Sequence, residues 1–296
     1  MTQFEKIKVE EPSPGIARIS LNSPHNGNSQ NPKMIYELDT ALMAAARDSR
    51  IKVIILAGDG KHFSAGHDLR MEGLEKVGVE TPLTSTWDEV GMDTIGGWYA
   101  WEHEMYLDMC RRWRTIAKPT IAQVQGACIA GGLMLAWVCD LIVASENAFF
   151  QDPVVDFGIA GVEYFAHVWE IGPRRAKAKL FTADRWTAQE AYEWGMVSKV
   201  VADDALPSET LTLAESIAKR PSFALKLVKE LVNGCVDQQG LARSLEHAFA
   251  LHHVGHAHNR LMYGTLIDPN GIPQSVRRTL PGGSIPKVTA RHVDVE

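Results

Sequence analysis

The segment that most constrains this chain is IAQVQGACIAGGLMLAWVCD at residues 121–140. It predicts a short apolar strand, a turn of small residues and an apolar helix, with the pair Gly131-Gly132 where the helix begins. The first N–H groups of a helix have no intrahelical partner and carry the positive end of its dipole. The segment therefore either holds a negatively charged oxygen at its backbone, or is a packing corner where glycines let two backbones approach.

A second segment, VIILAGDGKHFSAGHDL at residues 53–69, predicts a buried strand followed by a loop that contains Gly66-His67-Asp68. Three further segments are informative when they are considered together with these two: ISLNSP at 19–24, CDLIVAS at 139–145 and AYEWGMV at 191–197. With KPTIAQVQGACIAGG at 118–132, their order and spacing resemble the crotonase (enoyl-CoA hydratase/isomerase) superfamily over most of residues 5–265.

This resemblance implies an α/β fold, a crotonase-like spiral of repeated β-β-α units with a C-terminal helical trimerisation region. The spiral core is expected over residues 1–200, with a variable loop at 71–97 that covers the acyl pocket. The helical region is expected at 201–265 and an extended tail at 266–296, which is rich in Pro and Gly. The family's assembly would be a homotrimer or a dimer of trimers.

The resemblance also implies an acyl-CoA substrate, with coenzyme A as part of the substrate and no separate cofactor. Two backbone N–H groups, of His67 and Gly131, would bind the thioester oxygen, where negative charge develops during the reaction. On this interpretation the imidazole of His67 is incidental. The implied coenzyme A contacts lie along two loops: His25, Asn26, Gly27, Ala65, Asp68, Leu69 and Arg70. For residues 25–27 a plain surface loop remains an alternative, and for Arg70 a solvated side chain.

Both glutamates that hold and activate water in the family's hydratases are replaced here, by Met134 and Val154. Hydration needs a proton acceptor at the water and a proton donor at the α-carbon, and neither side chain can serve. The resemblance therefore predicts an enoyl-CoA hydratase-like enzyme whose reaction differs, such as an isomerase, hydrolase or lyase. The alternative is a non-catalytic acyl-CoA-binding or regulatory paralogue.

Two carboxylates near the expected pocket wall are candidates for the acid–base role, Glu163 and Asp156. Isomerase- and dehalogenase-type relatives carry an Asp at the position of Val162, one residue earlier. On a helix that offset turns the side chain by ~100°. Glu163 is therefore expected as a salt-bridging residue at a helix start rather than a pocket residue, and Asp156 as a structural hydrogen-bond acceptor.

Five histidines, His247, His252, His253, His256 and His258, fall in one predicted helix. The pair at 252 and 256 has i, i+4 spacing and could bind zinc with a third ligand. A solvated or interface cluster is favoured, because no H-E-x-x-H motif is present and the family uses no metal.

Four aromatic residues near the variable loop predict an apolar cover for the acyl pocket: Trp87, Trp98, Tyr99 and Trp101.

Composition narrows the class of protein. The chain has 296 residues, 45% hydrophobic and 22% charged, with a formal net charge of −6. This charge argues against nucleic acid as a partner, so local basic side chains must meet the phosphates of coenzyme A. We expect a cytoplasmic protein without membrane contact. The N-terminus is charged and no apolar run reaches ~18–20 residues, and the four cysteines are dispersed along the chain.

Overall fold

The computed structural model describes residues 4–70, 83–90, 94–272 and 274–278. Parts of two predicted regions, the variable loop at 71–97 and the tail at 266–296, therefore lie outside the described residues. The described residues form these strands: β1 Ile7–Ser13, β2 Ile16–Leu21, β3 Val53–Gly58, β4 Thr120–Val124, β5 Ala127–Ile129, β6 Leu141–Ser145, β7 Phe149–Gln151, β8 Trp186–Thr187 and β9 Lys199–Val201.

Helices surround the strands, and among the described residues none is long and apolar enough to cross a bilayer. The helices are α1 Pro32–Arg47, α2 Ile95–Glu102, α3 Met109–Arg114, α4 Gly131–Trp137, α5 His167–Ile171, α6 Pro173–Thr182, α7 Ala188–Glu193, α8 Leu206–Ala218, α9 Ser222–Gln238, α10 Leu241–Tyr263 and α11 Gln274–Arg277.

The larger sheet has the strand order β1-β2-β3-β4-β6-β9. Only β1 and β2 pair in antiparallel fashion, and the remaining neighbours are parallel. Every residue of β3 and β4 is buried, which is typical of parallel strands covered on both faces. The apolar runs recognised in the sequence at 53–57 and 121–124 are therefore the centre of this sheet.

A smaller sheet has the order β5-β7-β8. Single β-bridges extend it, from Cys128 to Ser64 and from His67 to Gln30. Consecutive strands thus enter different sheets, because β4 and β6 belong to the large sheet whereas β5 and β7 belong to the small one. A helix follows each of these strand pairs, so the predicted spiral of β-β-α units is confirmed.

Helix α2 begins at Ile95, where the side chain of Thr94 caps it by accepting from the N–H of Gly97. Between α2 and α3 the helix widens into a π-helical segment, His103–Asp108. Such segments change the direction of the side chains that follow and are frequent at functional sites. Here the segment lets Glu102 and Tyr106 line one cavity.

The C-terminal helices α8, α9 and α10 lie where the sequence pattern predicted helices. A capping box starts α7: the Thr187 hydroxyl accepts from the N–H of Glu190, whose carboxylate accepts from the N–H of Thr187. Helix α9 leaves several large apolar side chains exposed: Phe223, Leu227, Val228, Leu231 and Val232.

Candidate active site

The loop that contains His67 is held on both sides by backbone hydrogen bonds. On one side the N–H of Gln30 donates to the carbonyl of Gly66 over 2.8 Å, and the N–H of Asp68 donates to the carbonyl of Gln30 over 2.9 Å. On the other side the N–H of Ile129 donates to the carbonyl of Ser64 over 3.0 Å. Residues 64–68 therefore lie directly beside β5 and the start of α4.

This bonding leaves the two predicted backbone donors free. The pairing with Gln30 uses the carbonyl of residue 66 and the N–H of residue 68, so the N–H of His67 points away from that partner. Gly131 is the first residue of α4, whose N–H has no intrahelical acceptor. Within the described part of the chain, neither N–H donates to a protein acceptor. Both can therefore bind a ligand oxygen.

Glycines make this close approach possible. A Cβ atom on Gly66, where φ is +92°, would lie 2.8 Å from the carbonyl of Ile129. A Cβ on Gly131 would lie 2.4 Å from Nε2 of His67. The intervening Ala130 adopts φ +48° and ψ −114°, an unfavourable conformation of a kind that clusters at functional sites. The close backbone packing that glycines allow is therefore present, and the binding of a negatively charged oxygen at these N–H groups stays a prediction.

The imidazole of His67 is part of the site. It stacks on the ring of Tyr106, with centroids 3.9 Å apart and planes at 12°. Its Nδ1 lies 3.5 Å from Oε1 of Glu163. Burial lowers the pKa of His67 to about 4, so the ring is neutral near pH 7. The interpretation of this side chain as incidental does not account for these contacts.

Glu163 does not occupy the position that the sequence suggested. It is only 3% exposed, lies in the loop before α5 rather than at a helix start, and lines the same cavity as His67. Its closest ionisable partners among the described residues are His67 and His252, not a Lys or Arg. Its Oε2 atom is buried without a hydrogen-bond partner there. Burial raises the pKa of Glu163 to about 7, although the charge of His252 opposes the shift.

Asp152 holds the loop that presents Glu163. The N–H groups of Val154 and Val162 donate to its two carboxylate oxygens, over 3.3 and 3.2 Å. Asp152 is 2% exposed and lies 2.8 Å from Nε2 of His167. Because Val162 lies ten residues from Asp152 in the sequence, this role could not be seen from the local pattern.

Asp156 differs from its expected role as a structural acceptor. It is exposed, in a 3-10 turn at Val154–Phe157, and no donor reaches its carboxylate within the described ranges. It does line the cavity.

Of the two residues that replace the family's glutamates, Val154 lines the cavity, whereas Met134 is buried in α4 and does not.

The cavity has a volume of about 470 Å³. Trp98 and Trp101 line it, as predicted for an apolar cover, but Trp87 and Tyr99 do not and instead contact each other with ring centroids 5.3 Å apart. Gln30 and Arg185 also line the cavity, although no pattern in the sequence pointed to them.

The residues proposed for coenzyme A contact divide into two groups. Ala65, Asp68 and Leu69 line the cavity. The turn with His25, Asn26 and Gly27 does not, but it adjoins the lining, since the N–H of Ala65 donates to the carbonyl of Gly27 over 2.8 Å. The guanidinium of Arg70 makes a two-point contact with the carboxylate of Asp68, over 2.8 and 2.6 Å. Arg70 is therefore held beside the site rather than solvated alone.

The histidine cluster is not the solvated cluster that the sequence favoured. His252, His253 and His256 are 3–5% exposed and surround the buried carboxylate of Glu102, whereas His247 and His258 are exposed. The spacing Leu245, Phe249, His252, His256 continues the apolar face of α10, all four being buried. This periodicity could have predicted that His252 and His256 are buried, but it could not have identified Glu102 as their partner.

Fold and site together define a crotonase-type protein, with a free backbone N–H group at the strand–glycine–helix junction, a second in the neighbouring loop of residues 64–68, and a cavity lined by apolar and acidic residues. The enoyl-CoA hydratase/isomerase family model matches residues 11–265, and the chain belongs to this family. It is 42% identical over 275 residues to a putative enoyl-CoA hydratase of Mycobacterium tuberculosis, covering 89% of this chain and 86% of that protein.

Solved structures agree with this assignment. A probable enoyl-CoA hydratase from Mycobacterium smegmatis superposes with a TM-score of 0.79 at 45% identity, covering 88% of this chain and 98% of the other. A monofunctional enoyl-CoA isomerase from the same species superposes with a TM-score of 0.60 at 27% identity, covering 78% and 94%.

Proposed function

We propose that this protein is an acyl-CoA enzyme that moves a proton between two carbons of an enoyl-CoA, shifting the double bond rather than adding water. The N–H groups of His67 and Gly131 would bind the thioester oxygen and stabilise the enolate. Glu163 would remove the proton from one carbon and return it to another. The observation that carries this proposal is the Oε2 atom of Glu163, which is buried beside the cavity that His67 also lines and has no hydrogen-bond partner among the described residues.

The number of acid–base groups favours isomerisation over hydration. Hydration requires the activation of water as well as protonation of carbon, and the positions expected to share this work carry Met134 and Val154. A double-bond shift needs one group that accepts and then donates the same proton. A carboxyl group whose pKa is raised to about 7 suits both halves of that task.

His67 would position this carboxyl group. Its neutral ring is fixed by stacking on Tyr106 and places Nδ1 3.5 Å from Oε1 of Glu163. A hydrogen on Nδ1 would favour one orientation of the carboxyl group and leave Oε2 facing the acyl chain. The same residue would thus supply the backbone donor and orient the base.

Hydration is the second candidate, because relatives at 42% and 45% identity are named as hydratases. In that case Glu163 would activate water without the usual second carboxylate.

A direct comparison of two substrates in D₂O tests the proposal. The purified protein should convert a 3-enoyl-CoA to the conjugated 2-enoyl-CoA, with product formation followed by absorbance and deuterium position by mass spectrometry. Hydration of crotonyl-CoA should be slower by about 10²–10⁴-fold, the usual contribution of one acid–base group. Faster hydration than isomerisation would overturn the proposal in favour of the second candidate. Thermal stabilisation by acyl-CoA without turnover of either substrate would instead identify a non-catalytic binder.

We further propose that α9 contributes to a homotrimer. Phe223, Leu227 and Leu231 recur at i, i+4 and i+8, so they form one stripe along this helix. They are 71%, 54% and 68% exposed in the single chain. A contiguous exposed apolar stripe of this kind marks an interaction surface, and closed symmetric assemblies are the usual form of soluble homo-oligomers.

A further inference from the structure

A second group of buried polar side chains lines the same cavity as the proposed catalytic residues. Glu102 from α2 faces His252 and His256 from α10, and all three line the cavity. Their exposed fractions are 6%, 3% and 5%. One ligand-type atom from each residue lies within 4.8 Å of the other two. Three metal-ligating side chains thus converge although two distant segments of the chain supply them.

Backbone contacts determine which ring nitrogen of each histidine faces the carboxylate. Nδ1 of His252 lies 2.6 Å from the carbonyl of Gly161, and Nδ1 of His256 lies 2.7 Å from the carbonyl of Leu266. A carbonyl oxygen only accepts, so each Nδ1 must carry the hydrogen and donate it. In the neutral rings both Nε2 lone pairs are then directed at Glu102. This is the arrangement found around metal ions, where the ligating histidine donates its other N–H to a backbone carbonyl or carboxylate.

The distances fit a coordinated ion. Oε2 of Glu102 lies 3.4 Å from Nε2 of His252 and 3.4 Å from Nε2 of His256. Ligand atoms about 2.0–2.1 Å from a tetrahedral zinc ion are separated from one another by about 3.3 Å. Over the described ranges, none of these three atoms has a hydrogen-bond partner of acceptable geometry. Buried polar atoms without partners are rare and usually indicate a missing ligand, ion or water.

The charge balance also favours a cation. In the described part of the chain Glu102 has no Lys or Arg partner, and a second carboxylate, that of Glu163, lies 3.7 Å from Nε2 of His252. A buried carboxylate needs a compensating positive charge. The competing cation is a proton: burial lowers the pKa of His256, but the nearby charge of Glu102 outweighs it and raises that pKa to about 9.

We propose that Glu102, His252 and His256 bind a divalent transition-metal ion of the zinc class. Two imidazole nitrogens and one carboxylate oxygen suit zinc, cobalt or iron(II) and do not suit magnesium or calcium. Three protein ligands leave a fourth position, which opens toward the acyl cavity and can take water or a substrate oxygen. His253 supports the site from behind, since its Nε2 lies 3.1 Å from Oε2 of Glu102.

The test uses the 296-residue chain without substrate, so its outcome does not depend on the proposed acyl-CoA reaction. The protein is treated with a chelator, dialysed, and titrated separately with Zn²⁺ and Co²⁺. Calorimetry gives the stoichiometry, and the visible absorption of Co²⁺ reports its coordination geometry. We expect one ion per chain, a tetrahedral or five-coordinate Co²⁺ spectrum and a higher melting temperature.

Single substitutions, compared by their affinity for Co²⁺, show which residues bind the ion. His256→Ala and the nearly isosteric Glu102→Gln should each weaken Co²⁺ binding by at least about 100-fold, and His253→Ala by about 10–100-fold, as for residues that support a metal ligand. The controls are His247→Ala and His258→Ala, which remove exposed histidines of the same helix and should leave binding unchanged.

Circular dichroism and melting curves establish that each variant is folded, and Glu102→Gln keeps the test decisive if His256→Ala does not fold. The proposal is overturned if the folded parent protein binds no Co²⁺, because the cluster then holds only a proton. It is equally overturned if a folded Glu102→Gln variant binds Co²⁺ as tightly as the parent, or if the exposed-histidine variants lose the spectrum.

Discussion

Oε1 of Glu163 lies 3.5 Å from Nδ1 of His67, so the candidate acid–base group and the loop that supplies a backbone donor are in contact. The carboxyl group approaches from the loop before α5, and the imidazole from the loop after β3. This contact joins the proposed acid–base group to the residue of the proposed backbone donor. A substitution of either residue should therefore alter the position of the other side chain.

Replacing Glu163 with Gln should remove most turnover while leaving acyl-CoA affinity nearly unchanged. Glutamine keeps the shape of the side chain but cannot accept and return a proton, so we expect a loss of about 10²–10⁴-fold in rate. Steady-state kinetics and calorimetry measure the two effects separately. Asp156→Asn is the matched control, because that carboxylate also lines the cavity but is exposed. A larger loss in the control than in Glu163→Gln would transfer the acid–base role to Asp156.

His67→Pro should reduce the rate by about 10²–10³-fold, the usual cost of losing one oxyanion donor. Proline removes the N–H of residue 67 together with the imidazole, whereas the two bonds to Gln30 use Gly66 and Asp68. His67→Ala keeps the N–H and loses only the orienting ring, so its effect on rate should be smaller. Proline also restricts Gly66, so the circular dichroism spectrum and oligomeric size of both variants must match the parent. Equal losses in two well-folded variants would show that the ring accounts for the effect, which would contradict the role of the backbone donor.

Gly131→Ala should abolish most activity, because the new Cβ would lie 2.4 Å from Nε2 of His67 and 2.8 Å from Oε1 of Gln30. Either the ring or the first turn of α4 must move, and both form the site. Gly234→Ala in α9 is the control: its Cβ meets nothing within 4 Å, and we expect a change in stability of no more than about 1 kcal/mol. Rates at saturating substrate and thermal unfolding are compared for the two variants. Parent-like turnover by Gly131→Ala would contradict the assigned donor geometry.

Asp140→Ala should destabilise the fold by about 1–3 kcal/mol, because it takes a partner from the buried ammonium group of Lys229. Oδ2 of Asp140, an exposed residue, accepts from the backbone N–H of Thr120 over 2.8 Å and lies 2.9 Å from Nζ of Lys229, which is only 8% exposed. Without the aspartate, that ammonium group keeps a carbonyl contact to Lys118 over 3.2 Å among the described residues. Urea unfolding measures the change. For comparison, Glu209→Gln breaks the exposed pair with Lys199 and should cost at most about 1 kcal/mol.

Leu231→Asp should shift the protein from trimer to monomer at micromolar concentration. The substitution puts a charge in the exposed apolar stripe of α9, where it would be desolvated at a subunit contact. Analytical ultracentrifugation of parent and variant gives the masses. Gln238→Asp adds the same charge at an exposed position at the end of the helix and should leave the mass unchanged. A parent protein that sediments as a monomer would contradict the proposed assembly.

Much of the fold could be predicted from the amino-acid sequence alone. Buried strands, glycine pairs and helix starts are local patterns, and they indicated β3, β4 and the start of α4. The donor roles of the N–H groups of His67 and Gly131 came from the family resemblance and stay a prediction, which agrees with the lack of a protein acceptor for either group among the described residues.

Only the tertiary structure decided what lies opposite those donors. Glu163 enters the cavity because Asp152 holds its loop through the N–H groups of Val154 and Val162, a contact that no periodic pattern encodes. Glu102 meets His252 and His256 because α2 leads into a π-helical segment and packs its last residue against α10. The direction of a buried side chain depends on contacts between segments far apart in the chain, and these form only when the whole core packs.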